Sequence, residues 1–516
     1  MSDGCLIGLD LGTTNCKALL CDTGGAILHV AARRMPVRHL DGGRAEYDPE
    51  AVWQTAVATL REAVAAARDG DGVRSIAVAS MGEAGVPCGS DGTPVYSSIA
   101  WFDSRSTAQA AALEARMGDR ALYEITGLQG LPIYTVHKLS WLRDHEPDVF
   151  RRIRRWYFMA DYIVGRLGGD WVTDPSLACR SRMFDIRQRR WSADVLDAAG
   201  IPAAILPPVA PSGARAGRLR SELARALGLG PDVWIAVAGH DHVCAAFAGG
   251  VIEPGDMLDS MGTAEAMLVA TETPPPPDVT MPMGFAVGCH VVTNLFYLLG
   301  GSTMSGGALE WVAQLTGTPL SYLMEQAAAV RPGSEGLCFL PHLRGSLSPV
   351  VDRWSMGAFV GVRDVHGPAH FARAVVEGLA CEAAGSTHAL ERIVGRAGVM
   401  RVTGGGVRNK LWLAIKAAVF NRPLDIIGTP EATALGAALL GGVAAGVFPG
   451  VAEAVRAGAR IGSRVDPDPA LVEGMNARVR IHPDLYPAVA PLHRRLRRAG
   501  GAGEQSWGRS QASPAG

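Results

Sequence analysis

The sequence of 516 residues has no Cys-x-x-Cys pair among its nine cysteines. Most of them, such as Cys5, Cys244, Cys338 and Cys381, sit in apolar surroundings. That argues against a disulfide framework and a structural zinc site, and fits reduced thiols. There is no Gly-x4-Gly-Lys-Ser/Thr stretch, so a P-loop is excluded as a phosphate binder. Neither sign of charge is in excess: 49 basic and 50 acidic residues leave a net charge of −1. Such a balance gives no global attraction to nucleic acid or to an anionic membrane. No run approaches the roughly 20 apolar residues that span a bilayer. The segment Phe285–Leu299 comes nearest, but Gly288, His290, Thr293 and Asn294 interrupt it. The first residues lack a basic region, and Asp10 and Gly12 break the apolar stretch that follows. A signal peptide is therefore not expected, and a cytoplasmic location is.

What is present is a globular composition, with 48% hydrophobic and 19% charged residues. The length suggests roughly two to three domains. Strand-like and helix-like segments alternate, the pattern of α/β architecture. Three short strands are expected at Leu6–Asp10, Lys17–Asp22 and Ala26–Val30. A helix capped by Asp48, with Pro49 in its first turn, should run to about Arg68. Further strands are expected at Val73–Ala79, Ser98–Phe102, Val233–Ala238, Asp256–Ser260 and Ala264–Ala270, with sheet again over Phe285–Leu299. Long helices are expected at about His370–Val394 and Arg408–Phe420. Thr429-Pro430-Glu431 reads as the opening of one more. A change of composition near 246–256 divides the chain into domains at 1–247 and 248–460. A helical extension should follow at 461–499, then a disordered tail at 500–516. The arginines between 494 and 498 read as a solvated helix end rather than a nucleic-acid patch.

One internal echo carries chemistry. Leu9-Asp10-Leu11-Gly12-Thr13-Thr14 resembles Leu258-Asp259-Ser260-Met261-Gly262-Thr263: an apolar strand, a Gly-Thr turn, another strand. A glycine there lets backbone N–H groups approach an anion. Thr13, Thr14 and Thr263 add hydroxyl donors, and Lys17 lies near the first turn. Asp10 would repel phosphate, so its use would be to hold a divalent cation. Gly404-Gly405-Gly406, between a strand and a helix, would let a flat group lie near a helix N-terminus. Asn409 stands where a dinucleotide fingerprint needs a third glycine, which weakens a Rossmann reading. Asp241, at a strand end between His240 and His242, could accept the proton of an attacking alcohol. Alternatively it pairs with a neighbouring cation, or the two histidines bind a metal. Gly82, Glu83, Trp101, Asp103 and Arg105 follow strands and suit a polyhydroxylated ligand, although Asp103 and Arg105 could simply form a local ion pair.

In this order the pieces resemble the FGGY carbohydrate kinases over about residues 5–450. Thr135-Val-His-Lys138-Leu-Ser-Trp141 is similar to a family signature, departing at Ile133. Ala160-Asp161-Tyr162-Ile163, Thr173-Asp174-Pro-Ser176, Ala238-Gly-His-Asp241, Ser260-Met-Gly262-Thr263 and Glu431-Ala-Thr433-Ala-Leu-Gly436-Ala are similar to others. The resemblance implies two ribonuclease-H-like domains of the actin-like ATPase type with a catalytic cleft between them. It implies ATP and Mg²⁺, with Asp10 for the metal and Asp241 as general base. Gly12, Thr13, Thr14, Lys17, Gly262 and Thr263 would meet the phosphates, and Gly405, Gly406 and Asn409 the adenosine. Gly82, Glu83, Trp101, Asp103 and Asp241 would meet a small sugar or polyol, a ketopentose or ketohexose being favoured. Ser80–Gly85 lacks the Gln-Met-His-Gly of the xylulokinase branch and keeps only Glu83 of the Arg-Glu pair of the glycerol kinase branch. The expected partner is that small molecule, with a homodimer as the assembly, and neither nucleic acid nor membrane. The rivals are an actin-like ATPase without a metabolite acceptor, a binding protein without catalysis, and a metal-dependent hydrolase using His240 and His242.

Overall fold

The computed structural model describes residues 4–67 and 72–499. The tail expected at 500–516 lies outside them. The first half begins with β1 (Cys5–Leu11), β2 (Asn15–Asp22) and β3 (Ile27–Arg34), followed by α1 (Pro49–Ala65) and β4 (Val73–Ser80). Asp48 caps α1, accepting from the N–H groups of Glu50 and Ala51. Then come α2 (Thr135–His145), β5 (Arg215–Arg218), β6 (Trp234–His240) and α3 (Asp241–Ala248). These strands form one sheet in the order β5-β6-β4-β1-β2-β3. The hairpin β1–β2–β3 is antiparallel, whereas β4 and β6 run parallel to β1.

The second half repeats the plan. It contains β7 (Met257–Met261), β8 (Glu265–Thr271), β9 (Ala286–Cys289), β10 (Phe296–Ser302), α4 (Gly306–Thr316) and α5 (Pro368–Val394). They are followed by β11 (Met400–Thr403), α6 (Lys410–Phe420), β12 (Leu424–Ile427), α7 (Ala432–Ala444), β13 (Ile461–Val465) and α8 (Pro469–Ala499). The sheet order is β9-β10-β8-β7-β11-β12-β13. Its central five, β10-β8-β7-β11-β12, reproduce the directions of β3-β2-β1-β4-β6: an antiparallel meander, then two parallel strands. The echo of two Gly-Thr turns therefore reflects two copies of one ribonuclease-H-like sheet.

Some expected elements differ. The strand at Ser98–Phe102 stops at Ile99, because the Asp103 N–H closes a turn on the Ala100 carbonyl. Phe285–Leu299 is two strands joined by a turn. The extension at 461–499 opens with β13, which adds an edge to the second sheet before the long helix α8. In α8, Arg497 stacks over Trp354 at 3.6 Å.

Strand β1 is almost wholly buried, so both faces of its sheet must be covered. Helix α7, from the second half, supplies one cover by packing on β1, β4 and β6 and crossing α3. The crossing needs glycine. A Cβ at Gly8 would lie 1.8 Å from the Ala434 carbonyl, and one at Gly436 would lie 2.0 Å from the Cys244 carbonyl. Gly8→Ala is expected to cost about 1–3 kcal/mol through forced separation of helix and sheet. Thermal melting against wild type measures it.

Candidate active site

The carboxyl ends of β1, β4 and β6 bring three carboxylates together. Asp10 is the penultimate residue of β1, Glu83 follows β4, and Asp241 opens α3 directly after β6. Gly239 allows that junction: its φ is +135°, and a Cβ there would lie 2.4 Å from the Ser176 hydroxyl. That hydroxyl instead accepts the His240 N–H at 2.9 Å and donates to buried Asp174 at 2.7 Å. Ser212 donates to the same carboxylate oxygen at 2.5 Å. Asp241 is thus set at the helix start by a buried chain of hydrogen bonds. Its Oδ1 accepts the His242 N–H at 2.6 Å and lies 3.3 Å from His240 Nε2.

Burial raises the Asp241 pKa above the usual carboxylate range, and the negative charge of Glu83 adds to this. Burial also holds His240 well below its usual value, so its imidazole is neutral. Asp10 is pushed up to about 8, first by burial and then by the charge of Asp241, with Lys17 opposing. Its Oδ1 is shut off from solvent and has no hydrogen-bond partner. An orphaned carboxylate oxygen beside a second carboxylate fits a hard divalent cation, which binds one or two carboxylates and keeps waters. Without such a cation a charged Asp10 is a burden. Its raised pKa contributes stability that is full below about pH 4 and lost as pH rises through about 8. Asp10→Asn should therefore flatten the decline of stability of the ligand-free protein between pH 5 and 8 by about 2–3 kcal/mol. Urea unfolding at both pH values reads it.

The first Gly-Thr turn is closed by the Gly12 N–H on the Asn15 carbonyl at 3.0 Å, and the second by the Gly262 N–H on the Ala264 carbonyl at 2.9 Å. Thr14 and Thr263 are exposed. Thr13 accepts from Trp101 Nε1 at 2.8 Å, which ties the Trp101 loop to the turn. Lys17 is not free: it pairs at 2.6 Å with Glu431 of the second half, just before α7. The N–H groups of Ser305, Gly306 and Gly307, at the start of α4, bond back to the Gly262 and Thr263 carbonyls. Gly405 is open, the nearest atom to an added Cβ being Arg408 Nη2 at 3.5 Å. Gly406 is a packing glycine, since a Cβ would meet Met261 at 2.7 Å. Asn409 caps α6 by accepting the Trp412 N–H.

Asp103 takes the ion-pair alternative with Arg105. It has no exposed surface, and its oxygens accept from Ala45 N–H at 2.7 Å and from the backbone N–H and guanidinium of Arg105 at 2.8–3.0 Å. Its acceptors are filled, so it braces the loop that carries Trp101. His240 and His242 do not form part of a metal cluster, and among the described residues no group of three or more His, Cys, Asp or Glu could hold one.

The echo hides an offset. Asp259 lies three residues before Gly262, whereas Asp10 lies two before Gly12. Side chains alternate along a strand, so Asp259 points away from its turn. It is fully buried and pairs with Lys416 of α6, which also binds Glu265, and Glu265 accepts from Ser305 at 2.5 Å. One residue was missed altogether. Arg180, in the short turn Cys179–Ser181, binds Glu83 Oε1 through Nε at 2.7 Å and Nη2 at 2.5 Å. Nothing in its sequence neighbourhood marks it, apart from a charge within the apolar run Leu177-Ala178-Cys179.

Two such sheets with carboxylates at the strand ends and a helix crossing between them define an actin-like ATPase fold. Residues 5–248 match the N-terminal domain, and residues 257–445 the C-terminal domain, of the FGGY family of carbohydrate kinases, and the chain belongs to that family. It is similar to an L-fuculokinase of Escherichia coli O157:H7, 30% identical over 449 residues, covering 86% of this chain and 92% of that one. It is also similar to a xylulose kinase of Lactococcus lactis, 29% identical over 440 residues, covering 84% and 87%. The crystal structure of xylulose kinase from Rhodospirillum rubrum superposes with a TM-score of 0.87 at 30% identity, covering 95% of this chain and all of that one. The protein is an ATP-dependent carbohydrate kinase, a phosphotransferase with an alcohol group as acceptor.

Proposed function

We propose that this kinase phosphorylates a ketose, of the kind named by its xylulose kinase and fuculokinase relatives, by in-line transfer with Asp241 as general base. The observation that carries this is the meeting of Asp241, Glu83 and Asp10 at the ends of three adjacent strands. Asp241 would take the proton of the acceptor hydroxyl; burial that raises its pKa makes it a better acceptor at neutral pH. Asp10 would hold Mg²⁺, directly or through water, and the cation would offset phosphate charge. Gly12, Thr13 and Thr14 from one turn, and Gly262 and Thr263 from the other, would line the phosphates. Lys17 would exchange Glu431 for a phosphate oxygen. Gly405 and Asn409 would face the adenosine, with Gly406 packed behind them. Gly82, Glu83 and Trp101 would bound the sugar. Asp103 is left out because its oxygens are filled. The working location would be the cytoplasm, and two copies would form a dimer.

The test is coupled ADP release with Mg-ATP over D-xylulose, L-fuculose, D-ribulose, xylitol and D-gluconate. Sugar-dependent release with a ketose is expected. Release that no sugar stimulates would favour an actin-like ATPase. Trp101→Phe keeps the ring and removes the donor to Thr13. A neutral hydrogen bond contributes about 0.5–1.5 kcal/mol, so kcat/KM for the sugar should fall about 2- to 10-fold. Steady-state kinetics with either substrate varied would show whether the loss reaches the nucleotide side.

A further inference from the structure

Two thiols meet where the halves of the chain touch. Cys179 opens the short turn that carries Arg180, and Cys289 ends β9 of the second half. Both are free and buried. The Cys289 N–H donates to Cys179 Sγ at 3.4 Å, and the Tyr297 hydroxyl lies 3.8 Å from the same sulfur. Tyr297 reaches it because Gly288, its cross-strand partner, has no side chain; a Cβ there would lie 2.4 Å from the Tyr297 hydroxyl. As a thiol, Cys179 donates to the Ser176 carbonyl at 3.2 Å. The second half thus presents an N–H, a hydroxyl and a thiol to a sulfur of the first half.

That socket favours the reactive form of the sulfur. Burial alone would raise the Cys179 thiol. The Cys289 thiol and N–H, the Arg180 guanidinium and the Tyr297 hydroxyl outweigh it and hold the pKa below the usual thiol value. The proton stays on Cys289, whose pKa is raised by the neighbouring Cys179 and by burial. A thiolate with a second thiol at its side is the arrangement from which a disulfide forms. The pair also lies between two parts of the active site. Arg180, next in sequence to Cys179, binds Glu83 at 2.7 Å. Val291, two residues after Cys289, packs against the residue before His240 and Asp241: a Cβ on Gly239 would lie 3.0 Å from Val291 Cγ1. The nearby bonds between the halves run from the Val287 N–H to the Gly127 carbonyl at 2.8 Å and from the Tyr123 hydroxyl to the Phe285 carbonyl at 2.7 Å. They are non-covalent and open without a chemical step.

We infer that Cys179 and Cys289 are an oxidisable pair that closes to a disulfide between the two halves under hydrogen peroxide, and that the closed form is the slower kinase. The Cys179 thiolate attacks a peroxide oxygen. An S–O bond forms, the O–O bond breaks, and the leaving hydroxide takes a proton to become water. Cys289 Sγ then attacks the Cys179 sulfur. The S–S bond forms, the S–O bond breaks, and the second hydroxide leaves as water with the Cys289 proton. Two thiols lose two electrons and one peroxide gains them. An added dithiol reverses the bond by exchange. Both sulfurs are enclosed, so the oxidant reaches them when the interface opens. Closure draws the sulfurs from contact to about 2 Å and removes Cys179 from the Ser176 carbonyl. The pull falls on Arg180 and on the Gly239–Asp241 junction, where a displacement of about 1 Å costs about 10²-fold in rate.

Peptide mapping without reductant tests the bond, and kinase activity tests its effect. The full chain is exposed to hydrogen peroxide without ligands, alkylated and digested. Wild type should yield a peptide pair joining Cys179 to Cys289. Its sugar-dependent ADP release should fall about 10-fold or more and return with dithiothreitol. Cys179→Ala removes the nucleophile and should keep its activity through the same treatment. Cys179→Ser replaces it should melting show that alanine destabilises the fold. Cys289→Ala should give no linked peptide and leave Cys179 as a sulfenic acid that dimedone labels. Treated wild type without the linked peptide, linked protein with full activity, or an equal loss in Cys179→Ala would each overturn the inference. The mapping uses no substrate, so a failure of the ketose reading leaves the linked peptide and the dimedone label to decide the pair.

Discussion

Asp241→Asn is expected to lower kcat by about 10²–10⁴-fold, the range of a positioned general base, while sugar binding changes little. The substitution is nearly isosteric and removes no essential support. The His242 N–H that bonds Asp241 Oδ1 can bond the amide oxygen equally well. The fold around it is fixed by Ser176 and Asp174, which act on the backbone of His240 and not on the Asp241 side chain. Since burial disfavours the charged carboxylate, the neutral amide should melt at the wild-type temperature or slightly above. Single-turnover measurement with saturating Mg-ATP separates the loss of chemistry from slow product release. If turnover survives with the pH profile unchanged, the proton goes elsewhere and the assignment of Asp241 fails.

Lys416→Met should give the largest effect on stability, a loss of about 3–5 kcal/mol. Lys416 is wholly enclosed and lies between Asp259 and Glu265, both also enclosed. Removing the ammonium leaves two adjacent buried carboxylates. Burial and the charge of Glu265 already raise Asp259, to about 7 even with the lysine present. The damage should reach the nucleotide side, because Glu265 also accepts from Ser305, whose backbone N–H bonds to Thr263. Denaturant unfolding measures the loss. Adding Asp259→Asn and Glu265→Gln removes the uncompensated charges and should restore most of it. A single variant as stable as wild type would mean that the cluster relaxes by taking up protons or water.

Much of this was legible in the sequence, for identifiable reasons. The strands of the first hairpin, the Asp48 cap and the Gly-His-Asp junction rest on local rules of alternation, capping and glycine conformation. The same local rules leave Asp103 open. An aspartate two residues from an arginine reads equally as a ligand or as an ion pair, and only the approach of the Ala45 N–H from 58 residues away decides it. The echo is legible, but it hides an offset of one residue, and in a strand one residue exchanges the faces. Arg180 could not be paired with Glu83 from sequence, since 97 residues separate them and no periodic pattern links them. Lys17 reads as a phosphate ligand from its nearness to Gly12, whereas its partner Glu431 comes from the other end of the chain.

The lodging of α7 against the first sheet has a consequence for how the polypeptide matures. The apolar face laid down by residues 5–80 waits for a cover synthesised more than 350 residues later, at 432–444. A growing chain that stops before that helix would display an uncovered sheet, the kind of surface that holdase chaperones bind and that aggregates. The amino-terminal half is therefore an unfinished object on the ribosome, and dividing the gene between the two sheets would yield two sticky fragments instead of two working modules.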